Sequence, residues 1–382
     1  SHVKINYAEI VAKNLYFARS HQDVPKELII SSVEVIEEES EDLFYIFHLD
    51  PNGFVMISAD DRTAPILAYS FDNPFLLEDI PPNVSWVLGK YKKNILNRIR
   101  SNQPVMPEVQ IQWDKFLYGK GLSRDQNDLV GPLLTAEFDQ GMGWNQYCPE
   151  GSGNCGGGGR ALVGCVAVSM SQIMHYWRYP LQGQGQKIYE DPVGDESSFG
   201  TLEVDFTNST YDYSAMGPGT SYSVAAALLI YDTGVAVEMD YGCESSGAYV
   251  TNNQHSPPTT SQYAFENYFL FDDDITSKRR SDVSDDEWIA TLKDEIDNNR
   301  PVIYTGFDEE DFGHAWNCDG YDGAEFHMNW GWGGDYNGYF NINELNAGGF
   351  TFTQDEEILY RIQPDALNAP NLILENNISQ EH

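Results

Sequence analysis

Basic residues are scarce in this chain of 382 residues: 22 Lys and Arg stand against 59 Asp and Glu, a formal net charge of −37. Such a surface repels phosphate backbones and anionic bilayers, which argues against nucleic acid and membranes as partners. Long hydrophobic runs are missing as well, and no apolar stretch approaches the roughly 20 residues that cross a bilayer. No charged-then-apolar export segment opens the chain; the expectation is a secreted protein from which that segment has been removed. Cysteine is sparse and odd in number, at positions 148, 155, 165, 243 and 318. No two are spaced C-x₂-C, so a structural zinc site is not expected. The count is too low for a disulfide-stapled scaffold. At least one thiol is free in any pairing scheme, and whether Cys148 and Cys155 pair stays open. The four glycines Gly156 to Gly159 lack a following Lys-Ser or Lys-Thr, so they are not a phosphate-binding loop. The acidic clusters Asp272–Asp274 and Asp285–Glu287 do not have EF-hand spacing and read as solvated faces. Neither metal nor cofactor is expected.

What is present suffices for real cores, since 41% of the residues are hydrophobic and 13% aromatic, and the length allows two ordinary domains. Residues 3–19 carry the spacing of an amphipathic helix. Strand-like runs follow at 28–36, 44–49 and 54–58, the last two joined by Asp50-Pro51-Asn52-Gly53, a strong hairpin signal. Another apolar run ends near residue 71, and 85–99 looks helical, which together predict a small α+β domain. The segment 101–130 is mixed in texture, holds Pro104, Pro107, Gly119, Lys120, Gly121 and Arg124, and reads as an exposed connector open to cleavage. Almost all the negative excess lies beyond it: residues 1–130 carry −6 of the formal charge and the rest −31. Irregular loops and short strands are predicted over 181–220, a buried helix over 223–233, a loop over 244–262 and an acid-capped helix over 285–299. From Pro301 the texture turns to β, with runs VIYTGF, HAWNCDGY, FHMNWGW, GYFNI and ILYRI. A helical half followed by a strand-rich half suggests two lobes flanking a cleft.

The stretch GCVAVSMSQIMHYWRYP, Gly164 to Pro180, organises the second half. From Cys165 the apolar residues recur at helical spacing until Pro180 stops the run, predicting an amphipathic helix. Backbone N–H groups in a first helical turn lack partners and carry partial positive charge, so a thiol there is pulled towards thiolate. The plainer reading is a small core hydrophobe at a helix start. A nucleophilic cysteine needs a base within hydrogen-bond reach. His175 is ten residues further along the same helix, about 15 Å at 1.5 Å per residue, and too far. His314 follows a glycine and opens a strand, while His327 sits between Phe326 and Met328 as a core residue would. Beyond His314, Asn329-Trp330-Gly331-Trp332-Gly333-Gly334 offers an Asn that could hold an imidazole and a Trp that could shield it, or a tight turn with two core tryptophans.

Together, GCVAVSMSQIMHYWRYP, DYGCESSGA, FGHAWNCDGYDG and HMNWGWGGDYNGYF resemble the streptopain family of papain-like cysteine peptidases in order and content, and NGFVMISADDRTAPILAYS resembles its propeptide. The resemblance implies an α+β fold, a papain-like two-lobed catalytic domain with a helical lobe and an antiparallel β lobe, preceded by a small α+β prodomain. It implies Cys165 as nucleophile, His314 as base, Trp330 packed beside the pair and Asn329 where an orienting Asn often stands. DYGCESSGA matches a stretch that lines the substrate cleft, which makes Ala248 and Gly313 substrate contacts, with Glu244 as an insertion. The Cys165 N–H becomes an oxyanion donor, and the side-chain donor is not placed. Residues 1–118 become an inhibitory prodomain that fills the cleft until removed, 119–130 an activation linker, 131–364 the peptidase domain and 365–382 a tail. The expected partners are protein or peptide substrates and the chain's own prodomain as intramolecular inhibitor. A non-catalytic adhesin or binding module, or a transglutaminase or amidase using the same Cys–His chemistry, are the alternative readings.

Overall fold

The structure is a computed structural model and describes all residues except 21–26, 103, 124–127, 152–154, 156–157, 193–197, 218–220, 308–312, 346–355, 368 and 370–382. Arg124 of the expected linker, Gly156 and Gly157 of the glycine run, and most of the expected tail therefore lie outside the described residues. The chain divides into two compact units that do not follow chain order. The first gathers Ser1–Gly131, Gly320–Met328 and Asp335–Gln354; the second gathers Pro132–Asp319, Asn329–Gly334 and Asp355–His382.

In the first unit, α1 (Ile5–Arg19) precedes four antiparallel strands, β1 (Ile30–Glu38), β2 (Glu41–Leu49), β3 (Phe54–Ser58) and β4 (Ile66–Ser70). The hairpin expected at Asp50–Gly53 joins β2 to β3, and Gly53 takes a φ of +113° where a Cβ would lie 2.6 Å from the Ser70 carbonyl oxygen. Strands β3 and β4 are buried along their whole length, because helices cover both faces. Ala8, Val11, Ala12 and Leu15 of α1 pack with Tyr45, Phe47, Val55 and Ile57. From α2 (Pro82–Ser101), Tyr91 donates its hydroxyl to the Leu67 carbonyl at 2.8 Å.

The segment read as a connector holds a further helix, α3 (Pro107–Tyr118). Pro107 opens it at a first-turn position where its missing N–H is no loss, and Gly119 closes it with a φ of +66°. Residues that break a helix inside it therefore frame one here. Val109, Trp113 and Phe116 of α3 join the α1 core, and the Trp113 indole donates to the Thr63 carbonyl at 2.9 Å.

Two late segments of the chain complete this unit. Short strands β5 (Leu129–Val130), β11 (Glu325–Asn329) and β12 (Gly338–Phe340) follow, and β12 pairs with β4 through Tyr339 opposite Tyr69 and Phe340 opposite Ala68. Only glycine fits at 338, since a Cβ there would meet the Tyr69 carbonyl oxygen at 2.6 Å. Beneath this pairing lies a buried ionic cluster. Arg19 binds Glu325 at 2.6 Å and Asp322 at 3.6 Å, and the Tyr69 hydroxyl donates to Asp322 at 2.6 Å. His327 is buried with its ring against Tyr339, the core role its flanking residues suggested.

The second unit is built around α4 (Cys165–Trp177), packed against α5 (Val224–Ala236). Strand order among its longer strands is β10 (Gly313–Asp322), β9 (Val302–Phe307), β13 (Glu356–Tyr360), β8 (Thr276–Arg279), all antiparallel. A separate hairpin, β6 (Gln186–Glu190) with β7 (Thr201–Asp205), alternates buried and exposed residues along both strands. A short α6 (Ser261–Asn267) and the acid-capped α7 (Asp285–Asp297) complete it. Ser284 caps α7 by accepting from the Glu287 N–H at 3.2 Å, and three acids in its first turn face the positive end of the helix dipole. Among the described residues no helix is long and apolar enough to cross a membrane.

The Cys165 helix departs from its expected amphipathic character. Eleven of its residues are buried, including Ser169, Ser171, Gln172 and His175, so it is a central helix with polar groups inside the core. Each buried polar group then needs a partner, because an unmet one costs about 1–3 kcal/mol. Ser171 meets the Thr233 hydroxyl at 3.0 Å, and Asn317 donates to the Ser169 carbonyl at 3.2 Å.

Candidate active site

Gly164 is the residue before α4 and has a φ of +85°. A Cβ at that position would lie 2.7 Å from the Met239 sulfur and 3.1 Å from the Ser246 carbonyl oxygen. The glycine ahead of Cys165 is thus required by both backbone conformation and the close approach of the 239–246 segment. Cys165 itself is the first residue of α4, half-buried at the edge of the second unit's core. Its Sγ accepts a hydrogen bond from the Ala315 backbone N–H at 3.4 Å.

That contact brings the second half of the constellation to the sulfur. Ala315 follows His314, which pairs with Gly306 of β9 in the register of β10 and is half-exposed. Two residues further on, Trp316 stacks on Tyr304 at 5.1 Å and tilts against Trp330 at 5.1 Å. Trp330 is almost fully buried. Gly331 takes a φ of +76° and sits so close to α4 that a Cβ would meet Val168 at 2.8 Å. The WGWGG turn is therefore packed directly on the Cys165 helix.

Asn329 belongs to the same turn, and its carboxamide is engaged with the helix. Its oxygen accepts from the Gln172 side chain at 3.0 Å and from the Gly331 N–H at 3.3 Å, while its nitrogen donates to the Ala136 carbonyl at 2.9 Å. Gln172 also donates to Ala136 at 3.0 Å and accepts from Asn317 at 2.8 Å. The three amides form a neutral network across α4, the 136 segment, β10 and the turn, with the Asn317 amide oxygen left without a hydrogen-bond partner among the described residues. An imidazole-holding role for Asn329 is not among these bonds; the residue ties the turn to the helix.

The other expected contacts are placed as follows. Ala248 is half-buried and packs on the core cluster that Cys165 also touches, Gly313 is exposed at the start of β10, and Glu244 is exposed. His175 lies on α4 with its ring against Phe138 at 5.6 Å, a core position. Sequence reasoning passed over Gln140. It is buried, its backbone carbonyl accepts from the N–H of Val163, two residues before Cys165, at 3.3 Å, and its side-chain nitrogen has no hydrogen-bond partner among the described residues. The signal available was an amide in FDQGMGW, too short to separate from a turn.

Burial pushes the Cys165 thiol up, against the N–H groups of Ala315, Val166 and its own backbone, which favour the thiolate. The helix start was expected to pull it towards thiolate; desolvation outweighs that pull in this form. Cys155 pairs with Cys243, whereas Cys148 and Cys318 are buried and not in a disulfide. The question of a Cys148–Cys155 pair is settled in favour of Cys243 as partner. The carboxylates of Asp272, Asp273 and Asp274 lie within 4.8 Å of one another and are mostly exposed, away from this constellation in sequence.

A half-buried thiol at a helix start, with the backbone N–H of the residue after a histidine hydrogen-bonded to its sulfur, is an arrangement suited to a thiol peptidase. The profile of the Peptidase C10 family matches residues 138–340, over half the chain, and the chain belongs to that family. Residues 1–95 match the Spi protease inhibitor profile. The thiol protease/hemagglutinin PrtT of Porphyromonas gingivalis is 28% identical over 98% of this chain, which spans only 44% of that protein. Streptopain of Streptococcus pyogenes is 27% identical over 87% of this chain and 83% of its own length. Among solved structures, a prointerpain A fragment of Prevotella intermedia superposes with a TM-score of 0.66 at 29% identity, covering 86% of this chain and 98% of that one. Active interpain A from the same organism gives 0.51 at 32% identity over 61% and 94%. The two-part α+β architecture expected from sequence holds, and an N-terminal inhibitor-type domain accompanies a cysteine-peptidase domain.

Proposed function

We propose that the chain is the latent precursor of a secreted bacterial cysteine endopeptidase in which Cys165 is the nucleophile and His314 the general base. The observation that carries this reading is the hydrogen bond from Ala315 to the Cys165 sulfur, which seats the residue next to His314 on the reacting atom. His314 takes the thiol proton, and the thiolate attacks the substrate carbonyl to give a tetrahedral oxyanion. The Cys165 N–H and the orphaned Gln140 amide nitrogen receive that oxyanion. His314 then protonates the leaving amine, and water hydrolyses the thioester. Trp330 shields the base from water, and Asn329 with Gln172 and Asn317 keeps the turn and β10 fixed against α4. Ala248 and Gly313 contact the substrate backbone or side chains.

Residues 1–118 are the inhibitory prodomain, 119–130 the activation linker, 131–364 the peptidase domain and 365–382 a tail. Cleavage falls between Tyr118 and Gly131, in a stretch part of which lies outside the described residues. The raised Cys165 thiol fits a precursor whose nucleophile is kept protonated. Substrates are proteins and peptides; the acidic surface speaks against nucleic acid and anionic membranes.

Casein hydrolysis by the self-processed chain tests the reading. New amino termini should appear, Cys165→Ala and His314→Ala should each reduce the rate at least about a thousandfold, and iodoacetamide should inactivate the enzyme by labelling Cys165. Hydrolysis that survives Cys165→Ala overturns the assignment. Incorporation of an added amine in place of hydrolysis selects the transglutaminase reading.

A further inference from the structure

The segment that leads into Cys165 and the loop 240–248 are joined by three separate ties. Leu162 donates its N–H to the Gly242 carbonyl at 3.0 Å. The Ser246 hydroxyl donates to the Leu162 carbonyl at 2.8 Å while accepting from the Gly242 N–H at 3.0 Å. The third tie is covalent, the Cys155–Cys243 bridge, across a sequence separation of 88 residues. The loop itself is closed by Asp240 and Gly247, each donating its N–H to the other's carbonyl, at 2.9 and 3.0 Å.

The chain makes room for the bridge. A Cβ at Gly151 would lie 2.1 Å from the Cys155 sulfur and 2.7 Å from that of Cys243. The Cys155 side is braced in turn: Gly151 and Glu150 bond across to Gly159 and Arg160, and Arg160 donates to the Cys148 carbonyl at 2.6 Å. A covalent bond therefore links a braced turn ten residues before the nucleophile to the apex of the loop that ends in Ala248. At the other end a Cβ on Gly164 would lie 3.1 Å from the Ser246 carbonyl oxygen, so the loop leaves no room for a side chain at the residue adjacent to Cys165. Nothing in the acyl-transfer chemistry uses these cysteines.

We infer that the Cys155–Cys243 bridge and Ser246 are positioning elements that clamp the 240–248 loop against the segment entering α4 and so set the substrate-binding side of the site. The inference rests on the Cys165 peptidase reading. It places two opposite redox requirements about one site: Cys165 acts as a free thiol, while the bridge acts oxidised. A dithiol such as dithiothreitol opens the bridge by delivering two electrons and two protons. The S–S bond breaks, Cys155 and Cys243 each end as S–H, and the dithiol closes to its cyclic disulfide. Activity then rises with dithiol as Cys165 is freed from oxidation and declines again as the bridge opens.

The test uses the full chain, self-processed, with peptide mass mapping to follow the bridge. Opening it with dithiothreitol, or removing it in Cys155→Ser/Cys243→Ser, should raise KM for a short peptide five- to tenfold. The kcat and the rate of Cys165 labelling by iodoacetamide should stay within about twofold. Ser246→Ala should move KM in the same direction, and Ser246→Thr, which keeps the hydroxyl, should restore it. An unchanged KM with the bridge verified open overturns the inference, as does a fall of kcat, labelling rate and melting temperature together, which marks a merely structural brace. Hydrogen exchange on the Cys165→Ala chain separates the two readings. Amides of Leu162 and Gly242 should exchange at least tenfold faster when the bridge opens, with α5 unaffected, and no change there overturns the clamp whatever the enzyme's activity.

Discussion

Two patches, one in each unit, bury polar side chains where late segments of the chain meet earlier ones, but with different chemistry; the second unit also buries an ion pair elsewhere, Arg280 with Glu356 at 3.0 Å. In the first unit the buried groups are ions: Arg19 with Glu325 and Asp322, and Arg98 with Asn94 and Glu344. In the second, under the candidate nucleophile, they are neutral amides: Asn329, Gln172 and Asn317. An amide network keeps its geometry across pH, because none of its members titrates. A buried ion pair holds only while its charges match, and leaving one partner alone is costly. Burial raises Glu325 above the ordinary carboxylate range even with Arg19 beside it. Arg19 and Tyr69 fall in the residues matched to the inhibitor profile, and Asp322 and Glu325 in those matched to the peptidase profile. The ionic patch thus joins residues from the two matched segments, and the amide network lies beside the candidate nucleophile.

The comparison breaks most sharply at Arg19. Arg19→Met leaves Glu325 and Asp322 buried without their cation and should cost about 3–5 kcal/mol in denaturant titrations of the full chain. Adding Glu325→Gln should recover part of that loss, since Asp322, which keeps the Tyr69 hydroxyl as donor, is then the one carboxylate of the cluster left without its cation.

A titrating group buried in the second unit gives the next effect. Asp232 is buried on α5, accepts from the Tyr211 hydroxyl at 2.9 Å, and burial raises it from 3.8 to about 6. The unfolded chain loses this proton at lower pH than the folded one, so stability falls as pH rises from about 4 to about 6 and stays flat above. Asp232→Asn keeps an acceptor for Tyr211 and abolishes that slope, gaining about 2–3 kcal/mol at pH 7 relative to wild type. Melting curves across pH 4–8 read it directly, and a wild-type slope of the opposite sign would refute the assignment.

Gln172→Leu tests the amide side. It orphans the Asn329 and Asn317 groups and should cost about 1–3 kcal/mol, with a parallel drop in kcat and little pH dependence in either. The smallest effect belongs to the surface: the exposed Arg100–Glu39 pair can be removed by Arg100→Ala with no resolvable change in melting temperature.

Much of this was legible in the sequence because it depends on near neighbours. The hairpin at Asp50–Gly53, the helix from Cys165 and the caps of α5 and α7 follow from turn chemistry and periodicity over a few residues. Helix α3 was misread as connector because Pro107 and Gly119 look like breakers until their positions at its two ends are known. Gln140 was invisible for a different reason: nothing local marks an amide whose partner is missing.

The candidates Cys165 and His314, with the turn at Asn329 and Trp330, were nameable from the order and content of motifs that resemble the streptopain family, whereas residue types alone left a structural cysteine as the plainer reading. Tertiary structure alone decided what each one touches. It turned Asn329 towards Gln172, chose Cys243 over Cys148 as the partner of Cys155, and made α4 a buried helix with its polar residues inside. Pairings of that kind join residues 88 or more positions apart in the chain. Their energies depend on desolvation and on which donors remain unmet, quantities that exist only once the chain has closed around them.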